Sequence, residues 1–321
     1  MAVTPFDSAL WRDLFGDEEL SPLFSDVAEI CAMMAAEAAL ARVQARRGAI
    51  PEAAAAAITR AAEAGGIDPA ALAAGTAAAG VAVPAFVEAF RTLLPAEAAA
   101  FLHHGATSQD ILDTGLSLRL SQALALIEAR LDRLTETLGE KARAEAETTM
   151  AARTRSQVAT PTTFGAKIAV WRSSLIRCRA RFEEVRPRAL RASLAGASGT
   201  HAALGPDGLA LAAEFAAELR LAHDATPWHA ARDGVAELGG ALTLLTGALG
   251  KMGLDLILLM QSEISEVSAG AGGGSSTMPH KANPVGPEAL VALARANAGI
   301  VGRLYEAQLH AQEREGAAWT L

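Results

Sequence analysis

Aromatic residues are scarce in this chain, and their scarcity bears directly on the fold class. Only 4% of the 321 residues are Phe, Trp or Tyr, whereas hydrophobic residues as a whole reach 51%. Sheets favour aromatic and β-branched residues, while alanine, leucine, glutamate and arginine favour helices. The composition therefore predicts a large helical core with little or no strand.

Positive charge is also in short supply. The chain carries 28 Lys and Arg residues against 36 Asp and Glu residues, for a formal net charge of -8. Broad contact with nucleic acid or with an anionic membrane requires a basic face, so the charge balance argues against both kinds of partner. Any anionic substrate must then be bound by local positive groups.

Only two cysteines are present, Cys31 and Cys178, and both lie in apolar helical patterns. We expect buried structural thiols rather than a disulfide or a metal pair. No HExxH or CxxC spacing occurs, and the glycines at 270–274 lack the GK[ST] ending of a phosphate loop. We therefore predict neither a metal nor another cofactor.

The amino-terminal sequence MAVTPFDSALWRDLF lacks the basic stretch and the apolar run of a signal peptide. No uncharged apolar run reaches the roughly 18 residues that a membrane-spanning helix needs. We therefore expect a cytoplasmic protein.

Proline and glycine interrupt the first hundred residues often, which predicts a compact amino-terminal domain of short and medium helices over residues 1–105. One of these helices is well marked. Asp26 and Glu29 resemble a capping box at its start, and Gly48 follows its end.

From about residue 110 onwards, apolar residues recur every three or four positions, which predicts long helices. Four such series begin near Leu112, Ile168, Leu238 and Leu290. Alternating spacings of three and four are typical of left-handed helix bundles, so we predict a bundle domain over residues 106–321. Because helices this long have apolar residues on more than one side, we expect oligomerisation to cover them.

Three polar segments border the long helices. The first, GAGGGSSTMPHKANPVGP at 270–287, combines glycines that permit close approach with hydroxyl, lysine and asparagine donors suited to a carboxylate. The second, HHGATSQD at 103–110, opens the first long helix, where Thr107 or Ser108 either caps the helix only or also binds an anion. The third, ARTRSQVATPTTFG at 152–165, is a binding segment or a solvated loop before the second long helix.

These segments can meet only if helices of different subunits run antiparallel and bring opposite ends together. The arrangement therefore predicts an active site shared between chains.

The segment GSSTMPHKANP at 274–284 resembles the signature loop of the fumarase/aspartase superfamily, which includes the argininosuccinate and adenylosuccinate lyases. The 103–110 and 152–165 segments resemble its two other active-site regions, in the same order. The resemblance covers most of residues 25–321. It implies an all-α enzyme with a small amino-terminal helical domain and a long-helix bundle, assembled as a homotetramer. The superfamily usually continues into a C-terminal domain, which we do not expect within these 321 residues.

Members of this superfamily remove a proton from the carbon next to a carboxylate and expel a group from the neighbouring carbon, or run these steps backwards as an addition. The resemblance implies that Ser275 transfers the proton, with Ser276 as the alternative. The residues that it places at the substrate are Lys281, Asn283, Thr107, Ser108, Arg155, Gln157, Thr162 and His280. His103 and His201 are candidates for a supporting role, although capping or packing explains them equally well.

Position 155 distinguishes members of the superfamily. Adenylosuccinate lyases and fumarases have a histidine where this chain has Arg155, and the cycloisomerases resemble this chain. An amine leaving group benefits from a positioned acid such as histidine, whereas a carboxylate with a reference pKa of about 4 needs neither acid nor base. Arginine stays protonated and orients such a carboxylate. The sequence favours internal carboxylate addition on a small tricarboxylate; the alternative is cleavage of adenylosuccinate or a related amino-succinate.

Overall fold

The computed structural model describes residues 4–268, 273–274, 277–278 and 280–320. In this part of the chain nearly all regular structure is helical, as the composition predicts. The α-helices are α1 (Arg12–Phe15), α2 (Asp26–Arg46), α3 (Glu52–Ala64), α4 (Pro69–Ala79), α5 (Val83–Thr92), α6 (Ala96–Ala99), α7 (Ser108–Ala144), α8 (Phe164–Ala189), α9 (Gly208–Glu218), α10 (Asp233–Leu259), α11 (Val285–Glu306) and α12 (Gly316–Thr320). Short 3-10 helices lie at Pro5–Asp7, Ser21–Phe24 and Ala202–Leu204.

The chain divides into two compact units. The bundle unit consists of Met1–Asp17, Leu126–Val185 and Ala236–Leu304. The alanine-rich unit consists of Glu18–Ala125, Arg186–Val235 and Tyr305–Leu321. The predicted domains, 1–105 and 106–321, stay a prediction.

The alanine-rich unit is built around α2, which packs against α3 and α9. Its core includes Met34 and Leu40 from α2 together with Phe86 and Phe215, all fully buried or nearly so. The small side chains of α2 let its neighbours approach closely, as close packing of a helical core requires. The helix is capped by Ser25, whose hydroxyl accepts the N–H of Ala28 at 3.2 Å, and not by Asp26 as the sequence suggested.

The bundle unit contains most of the long helices. Helix α7, which begins in the alanine-rich unit and continues into the bundle unit, has 37 residues, a length of about 55 Å at about 1.5 Å per residue. Glycines on α10 permit close contact with α11: a Cβ at Gly250 would lie 2.5 Å from the Ala294 Cβ, and one at Gly253 would lie 2.7 Å from the Pro287 oxygen. Substitution of either glycine would push the two helices apart.

Helix α10 is, among the described residues, the one helix that is long and apolar enough to cross a membrane by length and composition. Core helices of bundles share these properties. The helix also carries Asp255, which accepts a hydrogen bond from Trp171 Nε1 at 2.7 Å and pairs with Lys251. These polar contacts and the close contact with α11 are typical of a bundle helix.

The segment that precedes the second long helix forms a β-hairpin. Strand β1 (Thr149–Thr154) pairs antiparallel with β2 (Gln157–Thr163). The two turn residues, Arg155 and Ser156, have φ angles of 49° and 63°, as a tight two-residue hairpin turn requires. This short hairpin fits the prediction of little or no strand, and its threonines and valine favour strands locally.

The two cysteines differ in burial. Cys178 on α8 is buried, and burial raises the pKa of its thiol. Cys31 is exposed on α2, so the expectation that both thiols are buried was wrong for Cys31. The apolar pattern of α2 extends around most of the helix, and the sequence therefore does not show which position faces solvent.

Candidate active site

Asp110 organises the start of α7. Its carboxylate accepts the backbone N–H of Thr107 at 3.1 Å, so it caps the helix as the spacing of the two residues predicts. The same carboxylate is fully buried and accepts four further hydrogen bonds, from Ser193 Oγ (2.9 Å), Ala195 N (3.1 Å), Gly196 N (2.9 Å) and His229 Nε2 (2.7 Å). Asp110 therefore ties the 193–196 segment to the helix start.

The pKa of Asp110 reflects two opposing influences. Burial is the largest and raises the pKa, because an ionised carboxylate loses hydration. The hydrogen bond and charge of His229, with the N–H groups of Gly196 and Thr107, oppose burial, and the pKa lies below its ordinary value. Asp110 is thus a structural anion.

Thr107 has a partner that the sequence did not suggest. Arg314 donates from Nη1 to the Thr107 hydroxyl oxygen at 2.9 Å and from Nη2 to the Ala197 carbonyl at 2.8 Å. Since Thr107 Oγ1 accepts from Arg314, its own proton is directed elsewhere and is available to an incoming acceptor. Ser108, the next residue, is half-buried in the first turn of α7.

His103 is held by a buried carboxylate. Glu37, on α2, is only 1% exposed, and its two oxygens lie 2.6 Å from His103 Nδ1 and 3.1 Å from His103 N. The neighbouring His104 carbonyl accepts the Gln44 side-chain amide at 2.7 Å. Two polar side chains of α2 therefore fix the loop that precedes Thr107.

His201 lies beside the 193–196 segment. Its backbone N–H donates to the Ala195 carbonyl at 2.9 Å, and its φ of 57° places it at the head of a 3-10 turn. Burial lowers the pKa of His201, and the charge of Asp110 partly offsets that effect. Among the described residues, no group of three or more His, Cys, Asp and Glu residues is suited to hold a metal ion.

The hairpin of the bundle unit carries Arg155, Gln157 and Thr162. Arg155 and Gln157 are exposed, and Thr162 is half-buried. Arg153 on β1 makes a two-pronged contact with Glu266, at 2.7 and 3.0 Å. This hydrogen-bonded pairing raises the pKa of Arg153 and lowers that of Glu266. The hairpin is thus fastened to the segment that leads into the glycine-rich loop.

The two ends of the glycine-rich loop pair with each other. Gly273 N donates to the Asn283 oxygen at 3.1 Å, and Asn283 N donates to the Gly273 oxygen at 2.8 Å. A Cβ at Gly273 would overlap the Val285 side chain, so glycine is required there. His280 and Lys281 are exposed, and Asn283 is half-buried. The predicted proton-transfer residues, Ser275 and Ser276, lie outside the described residues.

The predicted site residues divide between the two units. His103, Thr107, Ser108 and His201 belong to the alanine-rich unit, where the Asp110 network holds Thr107 and the 193–196 segment together. The bundle unit contains Arg155, Gln157, Thr162, His280, Lys281 and Asn283. Their convergence on one site stays a prediction.

Sequence reasoning missed Glu37, Arg314 and the role of His229. Glu37 offered a signal, since a glutamate in the middle of an alanine-rich apolar helix is seldom buried without a partner. Neither Arg314 nor His229 lies in a motif. Their partners are 207 and 119 positions away along the chain, so no local pattern identifies them.

Comparison with known proteins adds the evolutionary context. A family described as lyase matches residues 13–299. The chain is 46% identical to 3-carboxy-cis,cis-muconate cycloisomerase of Pseudomonas aeruginosa, over 92% of this chain and 66% of that protein. It is 40% identical to nitrosuccinate lyase of Streptomyces davaonensis, over 98% of this chain and 69% of that protein. A crystal structure of 3-carboxy-cis,cis-muconate lactonizing enzyme from Pseudomonas putida superposes with a TM-score of 0.92 at 40% identity, covering 97% of this chain and 70% of that one.

Proposed function

Because the chain belongs to the lyase family that matches residues 13–299, we propose that it converts 3-carboxy-cis,cis-muconate to 4-carboxymuconolactone. This reaction belongs to the protocatechuate branch of the β-ketoadipate pathway. The observation that carries the proposal is the 46% identity to a cycloisomerase with this substrate in its name. The chain spans about two thirds of that relative. Adenylosuccinate or amino-succinate cleavage is the alternative that the identities disfavour.

The proposed reaction is an internal addition. A substrate carboxylate oxygen bonds to the alkene carbon that is β to a second carboxylate, and the π electrons move to the α carbon. The resulting carbanion shares its charge with the adjacent carboxylate, and the α carbon then takes a proton. We assign this proton transfer to Ser275, with Ser276 as the alternative. Lys281 and Asn283 hold the adjacent carboxylate, where fixed donors stabilise charge as it develops.

The remaining carboxylates need further cations and hydroxyls. We assign their binding to Thr107, Ser108, Arg155, Gln157, Thr162 and His280, supported by His103 and His201. Arg155 is the informative member of this set, because an attacking carboxylate needs orientation but no proton transfer. The addition transfers no electrons to a second molecule and no group from one, so we propose that the reaction needs no cofactor.

The proposal includes a cytoplasmic homotetramer with sites shared between subunits. Apolar side chains on the long helices remain exposed in the single chain, including Leu244, Leu254 and Leu258 on α10 and Ile300 on α11. Contact with the same helices of other subunits would remove these side chains from water.

A direct assay tests the proposed reaction. The purified protein is incubated separately with 3-carboxy-cis,cis-muconate and with adenylosuccinate, and loss of ultraviolet absorbance is followed. We expect loss with the carboxymuconate, since lactone formation interrupts its conjugated diene. Turnover of adenylosuccinate alone would contradict the proposal and favour the amine lyase.

Arg314→Gln is expected to raise KM for the carboxymuconate by about tenfold, with a smaller change in kcat. The guanidinium group orients the Thr107 hydroxyl and adds a positive charge close to it, and both effects favour binding of an anionic substrate. Steady-state kinetics measure the change. Arg60→Gln, which removes an exposed charge on α3, is the matched control and should leave KM unaltered. An unchanged KM in Arg314→Gln would remove Thr107 and Arg314 from the substrate site.

A further inference from the structure

Glu37 is an unusual residue for its position. It lies in the middle of α2, among alanines and methionines, with only 1% of its surface exposed. Burying a carboxylate is unfavourable unless hydrogen bonds or an opposite charge compensate for the lost hydration. Here both compensating contacts come from one residue, His103, through its ring Nδ1 at 2.6 Å and its backbone N at 3.1 Å.

These two contacts fix the imidazole ring of His103. The carboxylate accepts from Nδ1, so Nδ1 carries a proton and the ring is oriented by its partner, as in other carboxylate–imidazole pairs. The backbone contact holds His103 at a φ of 63°, a left-handed conformation that is uncommon outside glycine. The side chain is 18% exposed. Within the described residues its Nε2 makes no hydrogen bond, and this atom is accessible to solvent rather than buried without a partner. Nε2 is therefore the nitrogen offered to a ligand.

We propose that Glu37 is a positioning residue that holds the His103 ring so that, with both ring nitrogens protonated, Nδ1–H donates to Glu37 and Nε2–H donates to a substrate carboxylate beside Thr107. The proposal rests on the proposed function only in taking the 103–110 segment as part of the substrate site. His103 then contributes a donor on a rigid support, so little side-chain entropy is lost on binding. A tricarboxylate bound by a chain of net charge -8 needs such local donors.

A purely structural role explains the contacts less well. The Gln44 amide already fastens the same loop by donating to the His104 carbonyl at 2.7 Å. A loop anchor does not require a charged group, and apolar packing at position 37 would avoid the loss of carboxylate hydration. The carboxylate is needed, however, if the neighbouring ring must keep one protonation pattern and one orientation.

Binding of a non-reacting ligand tests the proposal. Propane-1,2,3-tricarboxylate is titrated by calorimetry into the wild type, Glu37→Gln, His103→Asn and the double variant. Asparagine tolerates the left-handed backbone at position 103, which protects the fold. We expect each single variant to bind about tenfold more weakly, and the double variant to bind no more weakly than His103→Asn, because the two residues act as one unit. Arg60→Gln, at an exposed residue of α3 outside the 103–110 segment, is the control and should bind within about twofold of the wild type.

A nuclear magnetic resonance readout separates positioning from folding. The wild type should show a far-downfield proton on His103 Nδ1, arising from the short bond to Glu37, and Glu37→Gln should lose it while retaining the rest of the spectrum. His103→Asn with wild-type affinity, or independent and additive losses in the double variant, would overturn the proposal. If the wild type does not convert carboxymuconate but tricarboxylate affinity still depends on both residues, the proposed function fails and this inference stands.

Discussion

Asp110→Asn should lower the free energy of unfolding by about 3–5 kcal/mol, the cost typical of disrupting the hydrogen bonds of a buried charged group. Asp110 is fully buried and accepts five hydrogen bonds. An amide in its place presents an NH₂ group to N–H donors and leaves His229 without its anion. Chemical denaturation of the two proteins at neutral pH measures the difference.

The pH dependence of this difference follows from the lowered pKa of folded Asp110. The unfolded carboxyl titrates near its ordinary value of 3.8, and the folded one at lower pH. The stabilisation is therefore complete above about pH 5 and is lost as the pH falls through the folded pKa. The stabilities of wild type and Asp110→Asn should converge in acid.

Ser193→Ala provides the matched comparison for Asp110→Asn. It removes one of the hydrogen bonds to the same carboxylate and leaves the charge in place, so it should cost about 1 kcal/mol. Two outcomes would show that Asp110 is not the centre of this network. One is an equal loss of unfolding free energy in the two variants, and the other is a stability difference between wild type and Asp110→Asn that stays the same in acid.

Ser275→Ala should reduce kcat by about 10³-fold or more while the thermal unfolding midpoint stays unchanged. The resemblance places this hydroxyl in proton transfer to the α carbon, and Ser276 is the alternative only if Ser275 does not hold that position. The backbone pairing of Gly273 with Asn283 brings the two flanks of this serine segment together. Steady-state kinetics with the carboxymuconate measure the loss.

Ser276→Ala separates the two neighbouring hydroxyls. If Ser275 carries the proton, Ser276→Ala should retain far more activity than Ser275→Ala. The reverse order would transfer the role to Ser276, and near-normal rates in both variants would place proton transfer outside this loop.

The helices of this protein follow closely from its sequence, because their periodicity is strong and their ends carry local signals. The contact between Asp110 and Thr107 is local in the same way, since the two residues are three positions apart. The β1–β2 hairpin was missed because a few threonines in an alanine-rich chain give a weak signal. Burial of α2 positions such as Cys31 was unpredictable because nearly every face of that helix is apolar.

Site residues are predictable only where the chain itself brings them together or a motif marks them. Glu37 lies 66 residues from His103, and Arg314 lies 207 residues from Thr107. The contact of Glu37 with His103 depends on the packing of α2, and the contact of Arg314 with Thr107 depends on the packing of the C-terminal segment. Lys281 and Asn283, by contrast, were proposed from the signature loop alone.

Isotope incorporation tests the central claim most directly, namely that the enzyme protonates the carbon next to a carboxylate after internal carboxylate addition. 3-Carboxy-cis,cis-muconate is converted in D₂O, and the lactone is examined by nuclear magnetic resonance and mass spectrometry. We predict one solvent-derived deuterium in the lactone, on one face of the α carbon that takes the proton. A lactone without deuterium at that carbon, or no conversion by the wild-type protein, would contradict the account.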